Sequence, residues 1–360
     1  MGGNSSILKP DPSKLITVGS GRFPTYNDEH FAKIRAFIGL PDDFIESSFS
    51  FETKPKGGNM APGGGKGGQL MGFTKDRLFI IKELNNTDHN TLLKVAEDFA
   101  DHIVHPDGSL LCKIVAHFYH TGLMRNYIIM NNVTMSPKSK EEGKQVAKPK
   151  RRASQSYDLK GCNDDKILDL DGHRMEEVHK RIWNVHMWCG RCCWSDARKR
   201  YFDGKKAAYR EQFHVTPSQK DDLMQWLRTS VHFLSERSLM DYSLMVSCVK
   251  FETSDPATAQ LVADIEEQRA TTVNGTSVSP FPFVSVVEGS VQVLHLGVID
   301  YLQDWTCTKN LAMAIKVCER NKATVPPEDY GARFIRHFTD NFVGDATAYG
   351  APAPVVASRV

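Results

Sequence analysis

The segment that most limits how this chain can fold is "GGGKGG" at 63–68, followed by "QLMGFTKDRLFIIKEL". Consecutive glycines support neither a helix nor a strand interior, so the run must be a loop. "RLFIIKEL" (77–84) alternates as a strand does, with Leu78, Ile80 and Lys82 on one face. Glycines also let backbone N–H groups approach phosphate oxygens with no Cβ in the way. Three phosphate-cradling arrangements can be tested by order and spacing. A P-loop ending at Gly65-Lys66 would need glycine where Met60 stands and Ser or Thr where Gly67 stands, so it fails. Gly63, Gly65 and Gly68 match a dinucleotide fingerprint as a pattern. That motif must open a helix, and here a strand follows. A glycine loop over nucleotide phosphates, between two strands of which the second carries a lysine, fits the order. Lys82 lies fourteen residues after Gly68. A plain surface loop with a strand-end lysine would look the same at this point.

The length of 360 residues has room for one large domain or two modest ones. With 45 basic and 43 acidic side chains, bulk charge selects neither membrane nor nucleic acid, and no nucleic-acid partner is expected. No run approaches the roughly 18 apolar residues needed to span a bilayer, and the N-terminus carries no secretory pattern. Eight cysteines without framework spacing fit reduced thiols in the cytoplasm. "MGGNSS" matches the myristoylation pattern with Gly2 as acceptor. One such chain binds membranes only marginally, so a second signal is needed. The stretch 136–156 supplies one, with seven Lys or Arg, among them Lys150, Arg151 and Arg152, against two Glu. It reads as a loose basic loop attracted to an anionic lipid surface.

Residues 1–25 and 344–360 read as tails around a folded unit at 26–343, with a loosely ordered insertion at 253–282. Inside the unit, 89–104 is an amphipathic helix with Leu92, Leu93, Ala96, Phe99, Ala100 and Ile103 in one stripe. "CKIVAHFYH" and "RNYIIM" form a strand pair joined near Gly122. A helix over 216–237 opens on Thr216, Pro217 and Gln219, a capping box, and buries Leu223, Leu227 and Leu234. "VQVLHLGVIDYL" (291–302) is an apolar strand. Strands early and helices later predict a two-lobed α+β fold. Phosphoryl transfer would need carboxylates near the nucleophile and on Mg²⁺. Asp241 in "LMDYSLMV" and Asp300 in "GVIDYLQ" have suitable settings, although a turn aspartate is the commoner explanation of either alone. The protein-kinase signatures H-R-D-L-x-x-x-N and D-F-G are absent. "CGRCC" holds one C-x-x-C without a second pair, so thiols packed beside Trp188 and Trp194 are expected at 189–193 rather than a zinc site.

In order, "GKGGQLMGFTKDRLFIIK", "IIMNNV", "YDLKGC", "SLMDYSLMV", "GVIDYLQ" and "PPEDYGARF" resemble the motifs of the phosphatidylinositol phosphate kinase family, over roughly residues 27–343. The resemblance implies a two-lobed kinase-like α+β domain with antiparallel sheets and a flat basic membrane face. It implies that Gly63, Gly65, Lys66 and Gly68 cover ATP, with Lys82 on its phosphates and Met130, Asn131 and Asn132 beside the adenine. Asp241 would face the inositol hydroxyl and Asp300 would hold Mg²⁺. Lys160 and Lys309 would meet phosphate groups of lipid or nucleotide. The implied reaction is ATP-dependent phosphorylation of a phosphatidylinositol monophosphate to a bisphosphate, by a protein peripheral to the cytosolic face of a membrane.

Several positions depart from the family pattern. Its serine after "DLKG" is Cys162, and the glycine after "MDYSLLV" is Ser247. The activation loop within 306–330 is short, and the acidic residue of the 5-kinase branch aligns with Ala312, where the 4-kinase branch also has alanine. Segment 162–213 follows the family pattern poorly. The short activation loop, with "QLM" in place of the family's aromatic residues at the glycine loop, keeps a second reading open, a membrane-tethered scaffold on an inactive kinase fold.

Overall fold

The computed structural model describes residues 9–41, 43–45, 49, 51, 61–62, 70–134, 149–175, 191–270, 282–305 and 325–350. Gly2, Gly63, Gly65, Lys66, Gly68, Lys309 and Ala312 lie outside the described residues, as do Trp188 and Cys189.

Two antiparallel sheets carry the fold. The first has strand order β1-β2-β6-β7-β5-β4-β3. These are β1 (Asp11–Val18), β2 (Gly21–Thr25), β3 (Ala61–Pro62), β4 (Leu70–Phe73), β5 (Phe79–Leu84), β6 (Ile114–His120) and β7 (Arg125–Asn131), with helices α1 (Asp28–Phe37) and α2 (Asn86–Ile103). β5 alternates as expected: Phe79 and Ile81 are buried, whereas Ile80 and Lys82 stand partly open on the other face. A short strand, β4, intervenes before it, so Lys82 lies on the second strand after the glycine run rather than on the first. α2 is capped by the Asn85 side chain, which accepts from the Asp88 N–H at 2.8 Å. It buries Leu92, Ala96, Phe99, Ala100 and Ile103 as expected, with Val95 in place of Leu93.

Residues 11–25 are not a tail. They form the β1–β2 hairpin, because Ile16, Val18 and Phe23 are apolar at alternating positions and bury themselves. The Phe23 ring lies 5.5 Å from Phe118. At the other end, Thr347 exchanges two backbone hydrogen bonds with Val286, so residues 344–350 also belong partly to the packed body.

The second sheet has order β10-β9-β8-β13-β15-β14. Its strands are β8 (Arg151–Leu159), β9 (Lys166–Leu170), β10 (His173–Arg174), β13 (Ser243–Glu252), β14 (Phe283–Val287) and β15 (Ser290–Ile299). Around it lie α3 (Asp196–Arg210), β11 (Phe213–His214), α4 (Pro217–Glu236), β12 (Leu239–Met240), α5 (Pro256–Ala270), β16 (Gln303–Asp304), α6 (Pro327–Asn341) and β17 (Phe342–Val343). The capping box of α4 is present with both hydrogen bonds, 3.2 Å and 3.1 Å. One face of the sheet, with Tyr157, Leu159, Leu244, Val246, Leu296 and Val298, joins Leu223, Leu227 and Leu234 of α4 and Phe334 and Phe338 of α6 in one core. At the far end, Val249, Phe251, Val291 and Val293 pack with Val262 and Ile265 of α5. Two segments expected to be loose are therefore regular in part: Arg151–Ser156 belong to β8, and 256–270 is helical. Central strand pairing and the apolar positions of α5 outweigh their polar composition.

A short strap holds the sheets together. The Val298 N–H donates to Leu110 O at 2.7 Å, the Cys112 N–H donates to Val298 O at 2.9 Å, and the Tyr301 hydroxyl donates to Cys112 O at 2.5 Å. A Cβ on Gly297 would lie 2.5 Å from Val133 Cγ1 and 3.0 Å from Cys112 Sγ. Gly297→Ala should therefore lose about 1–3 kcal/mol by overpacking, read as a lower urea midpoint with an unchanged slope.

A histidine pair is buried beneath the hairpin. His89 Nδ1 lies 2.9 Å from His117 Nε2, and the Tyr26 ring packs on both. Burial pushes both imidazoles below the ordinary histidine range, His117 furthest. The unfolded chain takes up protons near pH 6.5 that the fold refuses, so their contribution is complete above that value and lost as pH falls below it. His117→Gln should flatten the decline of the thermal midpoint between pH 7 and pH 5.

Candidate active site

The register of the second sheet brings three charged residues to one end. Leu244 pairs with Leu159 and Ser243 pairs with Ile299. Lys160 after β8, Asp241 before β13 and Asp300 after β15 therefore emerge together. Asp241 and Asp300 both adopt left-handed backbone, φ +64° and +58°. This is an unfavourable region that aspartate enters more readily than most residues, and such positions concentrate at functional sites.

From the first sheet, β5 extends Lys82 across the cleft, and its Nζ lies 2.6 Å from Asp300 Oδ1. Lys160 Nζ donates to Asp241 Oδ1 at 2.5 Å and to Asp241 O at 2.6 Å. Burial pushes the Lys82 ammonium down, but the Asp300 carboxylate outweighs it and holds lysine above its ordinary value. Burial likewise pushes Asp300 up, and Lys82 and then Lys160 outweigh it and hold the carboxyl below the usual range. Lys160 is treated as Lys82 is: burial opposes its charge, and Asp241 more than restores it. The cleft thus holds ionised carboxylate and paired ammonium groups side by side. The Asp300 side chain remains 54% exposed. Lys82 takes its Oδ1, and carboxylate oxygen is the hard donor type that Mg²⁺ prefers.

The asparagine side chains expected beside an adenine are engaged within the protein. Asn131 Oδ1 accepts from the Lys113 N–H at 2.5 Å, and the Asn131 N–H donates to Lys113 O at 3.1 Å. Asn132 Nδ2 donates to Arg77 O at 2.8 Å, and Asn132 Oδ1 receives Thr134. Their side chains hold the end of β7 to Lys113 and to the turn before β5. Met130 is the last residue but one of β7, paired with Ile80.

Arg151 and Arg152 begin β8 and Lys150 precedes it; Arg151 stands nine residues before Lys160, or about 30 Å along a strand. Lys150 Nζ lies 2.9 Å from Glu252 Oε1, and Arg152 donates to Ser290 Oγ at 2.9 Å. They are not next to the carboxylates. Cys192 and Cys193 are exposed, and Trp194 packs on Phe202 and Arg198 instead of sheltering them. Among the described residues, no three His, Cys, Asp or Glu gather as a metal site, and no helix is long and apolar enough to cross a membrane.

Two features were missed by sequence reasoning. Lys113 is buried just before β6, and burial pushes its ammonium down to about 8. Asp165 is fully buried under the Lys160 turn, and burial pushes it up to about 7. "CNDD" signals a turn but not that its last carboxyl points inward.

The family model for phosphatidylinositol-4-phosphate 5-kinase matches residues 59–341, which contain Lys82, Lys160, Asp241 and Asp300. A phosphatidylinositol 5-phosphate 4-kinase type-2 gamma of Danio rerio is 22% identical, with 89% of this chain and 77% of the relative covered. A phosphatidylinositol 4-phosphate 5-kinase of Plasmodium falciparum is 23% identical over 75% of this chain but only 15% of that protein. Phosphatidylinositol 4-phosphate 5-kinase 3 of Arabidopsis thaliana is 22% identical over 78% of this chain and 40% of its own length. The chain thus spans a minor part of two of these relatives and most of the third. Two antiparallel sheets meeting at paired lysines and aspartates and a family match across most of the length lead to one conclusion: this chain belongs to the phosphatidylinositol-4-phosphate 5-kinase family.

Proposed function

We propose that the chain transfers the γ-phosphoryl group of ATP to a ring hydroxyl of a phosphatidylinositol monophosphate, giving a bisphosphate at a membrane surface. The observation that carries this reading is the pairing of Lys82 with Asp300 and of Lys160 with Asp241 in one cleft. Phosphoryl transfer is mainly a matter of positioning and of charge stabilisation. Asp241 would orient the inositol hydroxyl and take its proton, with Lys160 holding that carboxylate. Lys82 would meet ATP phosphates and Asp300 would hold Mg²⁺. When bound, the ion would neutralise charge developing on the phosphate oxygens.

Membrane contact is supported by position. Arg151 and Arg152 at the start of β8, with Lys150 just before it, stand about 30 Å from Lys160, a separation that one bilayer plane spans and one lipid headgroup does not. Each basic side chain near an anionic surface adds about 1 kcal/mol, and a Gly2 acyl chain would add the second signal that stable anchoring needs. The protein would then work peripherally, on the cytosolic face.

The test is phosphate transfer from ATP to vesicles holding each of the three monophosphates in turn, with the product identified. Asp241→Asn and Asp300→Asn should each lower turnover by about 100-fold or more with the thermal transition kept. Full turnover in both variants would remove these residues from the chemistry. Native protein that binds vesicles but neither ATP nor Mg²⁺ would instead support the scaffold reading. In cells, Gly2→Ala should move the full chain from the membrane fraction to the soluble one; an unchanged distribution would reject acylation as an anchor.

A further inference from the structure

The turn after β8 is built around a carboxyl group with no assigned role. Asp165 is fully buried. Its Oδ1 accepts the Lys160 N–H at 2.6 Å and the Cys162 N–H at 3.2 Å, and its own N–H donates to Cys162 O at 3.1 Å. Gly161 takes left-handed backbone, φ +65°, and a Cβ there would lie 3.1 Å from His337 Cβ. The turn therefore sits directly on α6. Asp164, the next residue back, pairs with Lys205 of α3 at 2.8 Å.

Asp165 Oδ2 has no hydrogen-bond partner among the described residues and faces His337 Nε2 at 3.5 Å. Asn341 Nδ2 lies 3.2 Å from the same nitrogen. Burial pushes His337 down to about 4 and Asp165 up to about 7, so burial works against the charged form of each. Asp158 also raises Asp165, while Asp340 and Arg333 act on His337 in opposite directions. A buried carboxyl is an expensive way to close a turn unless its hydrogen bonds hold something specific. What it holds is the backbone of Lys160, the residue whose Nζ reaches Asp241.

We propose that Asp165 is a positioning residue: by gathering the N–H groups of the Lys160–Cys162 turn, it holds the Lys160 ammonium on Asp241. Its importance for turnover rests on the reading of the cleft given above. An asparagine would keep the Oδ1 acceptor that gathers the turn. An alanine would release the Lys160 N–H.

Two measurements on the full chain test this. Acetic anhydride labelling followed by peptide mass mapping reads the Lys160 amine directly, whatever the activity. Asp165→Ala should raise Lys160 acetylation about tenfold, Asp165→Asn should match the native protein, and Lys82 should be unchanged in both, since a buried network loses its coupling only where a partner is removed. If Asp165→Ala loses its cooperative thermal transition, Asp165→Ser replaces it. In the lipid-kinase assay, Asp165→Ala should lower kcat about tenfold with KM for ATP unchanged, and less than about twofold when Lys160 is already alanine. Native-like labelling of Lys160 in the alanine variant, or full additivity with Lys160→Ala, would overturn the proposal. Absence of transfer by the native protein would overturn the functional reading alone, and the labelling would still decide what Asp165 holds.

Discussion

Leu110 and Cys112 exchange backbone hydrogen bonds with Val298, the last residue but one of β15. That strap fixes the first sheet against the second, and the geometry of the cleft follows from it. Ser230 of α4 secures the same strap through the Leu110 N–H at 2.9 Å, and the Tyr301 ring stacks on Phe99 of α2 at 5.7 Å. Both sheets therefore meet at a place where neither can slide without breaking buried hydrogen bonds. Lys82 can face Asp300 at 2.6 Å across a chain separation of 218 residues only because this joint is rigid.

The two lysine–aspartate pairs also explain how four charges can share a partly buried cleft. An isolated ammonium or carboxylate there would shift towards its neutral form. Burial pulls Lys82, Lys160 and Asp300 in that direction, and in each case a facing opposite charge prevails. Such a constellation can exchange partners with a phosphate-bearing ligand without leaving a buried charge uncompensated, whereas a cleft lined by one sign could not.

Local chemistry made much of this visible in advance. The capping box at Thr216 and Gln219, the period-two pattern of β5 and the stripe of α2 are rules satisfied by neighbours in sequence. The identities of Lys82, Lys160, Asp241 and Asp300 were legible through motif order. The remainder depends on distant partners. Residues 11–25 are polar enough to pass for a tail, and only the edge of the first sheet turns Ile16, Val18 and Phe23 into core. Arg151–Ser156 look like a charged loop until β13 supplies their hydrogen bonds. Asp165 is one acidic residue among several in its turn, and its inward orientation depends on His337, 172 residues away.

The backbone at Asp300 joins these levels. In an unbroken strand Asp300 would share a face with Val298, whose side chain is fully buried in the core. A carboxylate there would be desolvated with no cation to face it. The left-handed step at φ +58° breaks the alternation, and the side chain stays 54% exposed and reaches Lys82. The apolar run therefore continues to the very edge of the cleft, giving a rigid base, while its next residue is available for chemistry. Asp241 uses the same device at the adjoining strand end, φ +64°, between β12 and β13. Two strained turns at neighbouring ends of one sheet are what convert a buried apolar floor into a charged rim, and the strain is sustained because the hydrogen-bonded strands on either side leave the backbone no other path.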